Sequence, residues 1–315
     1  GLYAILLTPL VLWPRALYAF MTPKFLLFQV LVEIVFGAWL MLKFLKPNFR
    51  SPTSVARAEE VGLQESKLDF RNWLAIAFIL FFAVSFISAF FGVDFSRSFW
   101  GIGARMTGLF AELHFLAWFL VLASISKSNF DIRKYLNFSF AVSILVALSI
   151  FFQNPELLLV FGSTLFNNPT FVAPYLLFHF FWGLYRAIEP LKLDLKNLPK
   201  SNFGLKWLFA AGAALLFFVI LLTRVRGAIL GFFAGLLFSG LFLIFSGILS
   251  RRFKIYIYIF YFLLFAGLAG VWIFSDFSFV QNTSVLKRLT QFSLSETTAQ
   301  TRILTWQAAL KGVKD

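Results

Sequence analysis

Apolar residues fall along this chain in windows of membrane-spanning length, separated by polar breaks. The windows lie at 2–20, 24–43, 73–91, 108–124, 135–152, 169–187, 205–223, 227–248 and 255–275. A helix needs roughly 20 apolar residues to cross a bilayer's hydrocarbon layer. Backbone in that layer must satisfy its own hydrogen bonds, which a helix does. The pattern predicts an all-α, polytopic membrane protein of about nine spans. Pro9, Pro14 and Arg15 shorten the continuous part of the first window. Residues 1–275 read as a transmembrane helical domain, and 276–315 as the start of a large extracytoplasmic loop. In that tail Arg302, Trp306, Ala309 and Val313 recur at three-to-four spacing, which predicts an amphipathic helix on the membrane surface.

The apolar run from Leu205 to Leu249 is too long for one crossing and is broken at Thr223-Arg224-Val225-Arg226. Two helices joined by a tight basic corner follow. Guanidinium groups there are unfavourable unless they face an anion, a carbonyl cluster or water. Snorkelling accounts for one arginine at a helix end; two within three residues ask for more. An anion site and a purely topological role are both open.

Loop charge sets orientation. Residues 43–72 hold Lys43, Lys46, Arg50, Arg57, Lys67 and Arg71, and 125–134 hold Lys127, Arg133 and Lys134. Residues 186–206 add Arg186, Lys192, Lys196, Lys200 and Lys206, and 250–254 add Arg251, Arg252 and Lys254. These loops alternate onto one side, which the excess of Lys and Arg in cytoplasmic loops makes cytoplasmic. Arg97, Arg105, Arg224, Arg226, Lys287, Arg288 and Arg302 fall on the opposite, outer side.

Composition narrows the classes. Sixty per cent of residues are hydrophobic and 13% are charged, against about 25% charged in soluble domains. The net charge of +14 is carried by membrane-flanking loops beside anionic headgroups, so no nucleic-acid partner is expected. With no cysteine, disulfides and thiolate metal sites are excluded. His114 and His179 are the two imidazoles and form no HExxH pair, so neither a metal nor a cofactor is expected. The chain opens inside the apolar pattern at Gly1 and stops in a polar stretch at Asp315, so a fragment is expected.

Few residues offer chemistry. In Trp100-Gly101-Ile102-Gly103-Ala104-Arg105-Met106-Thr107-Gly108, glycines precede a helix whose N-terminal N–H groups and dipole favour anions. The alternative is an interfacial tryptophan, a turn and a snorkelling arginine. Inside the spans, Glu33, Glu112, His114 and His179 are ionisable and so candidates for function. The two histidines read more readily as helix–helix hydrogen-bond partners. Arg105 and Glu112 share a helix face about 10 Å apart, too far for a direct ion pair. Asn167-Asn168-Pro169 has the grammar of a capped helix start. No Walker loop, Ser-His-Asp order or paired-aspartate metal motif is present.

Together these segments resemble the bacterial O-antigen ligase and polymerase superfamily of polytopic membrane glycosyltransferases. The resemblance rests on Thr22-Pro23-Lys24, Trp100-Gly101 with Arg105 and Gly108, and Asn168-Pro169. It extends to Thr223-x-x-Arg226-Gly227-Ala228 and to the tail from Gln300 to Leu310, and so covers nearly the whole chain in order. It implies a C-type glycosyltransferase-like fold in the bacterial cytoplasmic membrane, with the active site facing the periplasm. It also implies a donor glycan on undecaprenyl diphosphate and an acceptor that is lipid A core, another glycan or a protein hydroxyl. Such enzymes use no nucleotide sugar and no metal. By motif position the diphosphate ligands are Arg105, Arg226 and Arg302, with Arg224 added from the corner.

Two departures stand out. The family's catalytic histidine lies in the outer loop, beyond Asp315, so no catalytic residue falls within this chain, and this fragment alone should be inactive. Val160-Phe161 precede Gly162 where relatives often carry a basic residue. The resemblance leaves ligase and chain-elongating polymerase open. A lipid-linked glycan flippase or other transporter is a further alternative, though it would favour binding groups near the bilayer midplane. A membrane scaffold is the last.

Overall fold

The computed structural model describes residues 1–13, 18, 21–45, 73–102, 106–125, 130–152, 168–188, 201–245, 251–282 and 297–314. Every regular element among them is helical: α1 (Leu2–Ile5), a 3-10 turn (Thr8–Leu10), α2 (Thr22–Leu45), α3 (Trp73–Phe90), α4 (Phe95–Trp100), α5 (Leu109–Ile125) and α6 (Ile132–Phe152). There follow α7 (Pro169–Ile188), α8 (Ser201–Thr223), α9 (Arg226–Phe245), α10 (Arg251–Ile273), α11 (Ser278–Asn282) and α12 (Thr297–Lys314). Among the described residues, six helices (α2, α6, α7, α8, α9 and α10) are long and apolar enough to cross a membrane. The shorter α3 and α5 are apolar over Ile76–Phe90 and Leu109–Ile125. By length and composition this is a multi-pass helical membrane protein.

The first apolar window departs from expectation. Instead of one long helix, its described part makes the single turn of α1 and the 3-10 turn around Pro9. Proline lacks the N–H and the freedom in φ that a continuing helix needs. The segment is anchored on α2: Ile5 is buried with Phe28 and Val32, and Lys24 Nζ donates to the Val11 carbonyl at 2.7 Å.

The chain divides into two compact units, residues 1–188 with 199–219, and residues 189–198 with 220–315. In the first, α2 packs on α5, α5 on α3 and α4, and α6 on α7. The buried side chains are mostly small or β-branched, including Val32, Val121, Val142, Val146 and Val172, and such residues let helices approach closely in lipid. The Phe140 ring fills the space over two glycines: a Cβ on Gly183 would meet its Cε2 at 2.5 Å, and one on Gly212 its Cζ at 2.7 Å.

In the second unit α9 packs against α10. Gly240 leaves the room into which Tyr261 projects, and the Tyr261 hydroxyl donates to the Leu236 carbonyl at 2.6 Å. The tail helix expected around Arg302 is present as α12.

Candidate functional site

The corner between α8 and α9 is built by one threonine. Thr223 Oγ1 donates back to the Ile220 carbonyl at 2.6 Å and lies 3.4 Å from the Val225 N–H, whose bond it accepts. This side chain competes for backbone partners and ends α8. Arg224 follows in the left-handed region, φ 54°, its N–H donating to the Leu221 carbonyl at 3.1 Å. A side chain bearing a Cβ is disfavoured there by about 1–2 kcal/mol. The Val225 carbonyl then receives the N–H groups of Ala228 and Ile229, both at 3.1 Å, which starts α9 at Arg226.

Charge adds to the strain. Arg226 stands at the positive end of the α9 dipole, where a cation is unfavourable and an anion favourable. Arg224 and Arg226 are both half-buried. An anion at this corner would be favoured by both arginines and by the N-terminal end of α9.

Gly101 and Gly108 flank residues 103–105, which lie outside the described residues, and meet backbone to backbone. Gly101 (φ 76°) caps α4, its N–H donating to the Arg97 carbonyl at 2.9 Å. Its backbone lies against that of Gly108, where an added Cβ would collide with Gly101 N and the Phe99 carbonyl. Arg105 itself lies outside the described residues, as do Lys287, Arg288, Gly162 and most of the 43–72 loop. Arg302 is exposed on α12 and makes no hydrogen bond or ion pair with a described residue. At the start of α7, Asn168 Oδ1 accepts the Thr170 N–H at 2.9 Å, the cap that Asn-Pro spelled out.

Both histidines bridge helices. His179 Nδ1 lies 2.8 Å from the Tyr175 carbonyl, and its Nε2 2.8 Å from Ser139 Oγ on α6. His114 Nδ1 lies 2.7 Å from the Phe110 carbonyl, and its Nε2 3.0 Å from Glu33 Oε1 on α2. Glu112 has a buried Oε2 without a hydrogen-bond partner among the described residues. Neither interhelical partner is visible in the sequence, because the two pairs join positions 40 and 81 residues apart. Among the described residues, no three His, Cys, Asp or Glu side chains form a group that could hold a metal ion.

No protein-family model matches this chain, and neither a curated protein nor a solved structure does.

Proposed function

We propose that the protein is an O-antigen-ligase-like glycosyltransferase that transfers a glycan from undecaprenyl diphosphate to an acceptor hydroxyl. In this reading it sits in the bacterial cytoplasmic membrane with the cationic loops inside and the α8–α9 corner at the outer face. The two shorter apolar helices count as spans, and the whole is of the C-type glycosyltransferase kind. The observation that carries the reading is the corner itself. It keeps one arginine in a left-handed conformation and a second at a helix N-terminus, two positions that intrinsically disfavour an arginine. Retained strain of this kind is a pointer to function.

In the reaction the acceptor oxygen attacks the anomeric carbon of the donor sugar. The bond from that carbon to the diphosphate oxygen breaks, and the diphosphate leaves with the electron pair. Arg224 and Arg226 stabilise the charge that grows on the leaving group; only contacts stronger in the transition state than in the bound donor raise the rate. The acceptor's proton passes to a base, for which the resemblance supplies a histidine of the outer loop. The same resemblance gives Arg105 and Arg302 donor-binding roles. Lipid A core, a surface glycan and a protein are all acceptors compatible with this donor chemistry, as is a growing chain in a polymerase.

The test is transfer from an undecaprenyl-diphosphate glycan by the purified full-length protein, with EDTA present and nucleotide sugars absent. Wild-type protein transfers glycan. Arg226→Ala inserts normally and loses transfer, and Arg226→Lys recovers little because an ammonium cannot make the bidentate contact. Unimpaired transfer by Arg226→Ala would remove the leaving-group role. Donor movement between leaflets without transfer would make the protein a transporter.

A further inference from the structure

We propose that Glu33 and His114 form a proton-exchange site inside the membrane layer, separate from the arginine corner and independent of the transfer reading. Glu33 lies near the middle of α2, eleven residues from its first and twelve from its last. At 1.5 Å per residue that is about 16 Å from the start of the helix, close to the midplane of a hydrocarbon layer about 30 Å thick. A carboxylate at that depth is unfavourable and marks a functional group.

The proton geometry follows from the partners. The Phe110 carbonyl can only accept, so His114 Nδ1 carries its hydrogen toward it at 2.7 Å. Nε2, 3.0 Å from Glu33 Oε1, is then placed to share one proton with it. Held on oxygen, that proton gives a carboxylic acid and a neutral ring; held on nitrogen, it gives an ion pair. Net charge is zero either way, so the pair can sit in an apolar layer.

The asymmetry of exposure argues against a simple helix clamp. The His114 side chain is 9% exposed, but that of Glu33 is 59% exposed. It shares the outer side of α2 with the exposed Leu26, Val30 and Ile34. Ser139 and His179 provide the internal comparison. There the ring makes the same contact with the carbonyl four residues back, yet its partner is a hydroxyl and both groups are buried. A clamp needs no more than that. Glu33 instead sets a carboxyl on the outer side of α2, backed by a buried imidazole.

Other titratable groups sit along α2 and on the elements packed around it. Lys24 is held by the Val11 carbonyl, and Lys43 lies 4.7 Å from the Trp39 ring centroid, nine and ten residues along α2. The segment before α2 brings the Tyr3 phenol among Phe130, Tyr135 and Phe138. α5 adds Glu112 and α4 the exposed Arg97; α3 has no ionisable side chain.

The test uses dicyclohexylcarbodiimide, a lipid-soluble reagent that adds to protonated carboxyl groups, on the full-length protein in native membranes. Peptide mass spectrometry then reads the adduct. The expected result is an adduct on Glu33 whose yield falls about tenfold per pH unit above the midpoint, as for any single proton equilibrium. His114→Gln shifts that midpoint, whereas Ser139→Ala leaves it in place. An infrared carboxyl C=O band that vanishes on alkalinisation and is absent from Glu33→Gln is the second readout. Absence of both adduct and band overturns the proposal, as does a yield independent of pH. Because neither readout involves glycan transfer, its failure is distinct from failure of the transferase reading.

Discussion

Arg224 and Arg226 stand on either side of Val225 with opposed backbone roles: the first is left-handed at φ 54°, the second is the first residue of α9. Glycine enters the left-handed region freely. Arg224→Gly is therefore expected to stabilise the corner by about 1 kcal/mol. The same substitution removes a cation from the proposed diphosphate site and lowers glycan transfer. Thermal unfolding in detergent and transfer from a lipid-linked donor should move in opposite directions. A variant that loses both stability and transfer would show that the arginine serves the fold alone.

The contact between Gly101 and Gly108 makes a second prediction. At Gly108 the added methyl of alanine collides with backbone atoms, which cannot rotate aside as a side chain can. Gly108→Ala should destabilise the protein by about 1–3 kcal/mol, the usual range for overpacking. Gly227→Ala is the control, because nothing lies within 4 Å of its Cβ position. Equal melting temperatures for the two variants would sink the account of this contact.

Tyr261 ties α10 to α9 through one hydroxyl and one void. Tyr261→Phe removes the bond to the Leu236 carbonyl and is expected to cost about 1 kcal/mol. Gly240→Val fills the space the ring occupies and should cost more, because the ring and the new side chain cannot both fit. Guanidinium unfolding of the two variants ranks them; the reverse order contradicts the packing.

What could be read in the sequence was local. Apolar runs near 20 residues fixed the helices, because lipid leaves the backbone no other partner. The α8–α9 corner was legible from Thr223 to Arg226, since charge cannot continue an apolar run. The left-handed turn at Arg224 was not, because glycine or asparagine is the usual signal for it. The segment at 2–20 looked like a span because apolar content outweighed Pro9, whose effect on helix continuity prevailed in the fold. Glu33 and His114 were each visible as intramembrane ionisable residues. Their partnership spans 81 positions and depends on how α2 lies on α5, which no periodicity encodes.

Ser139 and His179 test the cost of an interhelical bond in this fold. With Nδ1 donating to the Tyr175 carbonyl, the neutral ring accepts the Ser139 hydroxyl at Nε2. Ser139→Ala deletes the donor and leaves that nitrogen buried without a partner. Interhelical hydrogen bonds in membranes are worth about 0.6 kcal/mol on average and up to about 1.7. Burial of both groups puts this one near the upper end. Unfolding of Ser139→Ala in mixed micelles should show that loss, and His179→Phe, which removes both bonds of the ring, a larger one. No change in Ser139→Ala would mean that the pair contributes nothing to helix association.

The last prediction concerns α12, where Ile303, Trp306 and Leu310 are exposed at helical spacing along one side. Arg302 and Lys311 flank that side, and Thr301, Thr305 and Ala308 lie opposite. An apolar stripe edged by cations suits a helix lying in the membrane interface, with its aromatic ring at headgroup depth. It would hold Arg302 at the level of a lipid-borne diphosphate. Lipids brominated near the headgroup should quench Trp306 fluorescence, read as the difference between wild type and Trp306→Phe in nanodiscs. Quenching by aqueous iodide alone would place the helix in water and separate Arg302 from the donor.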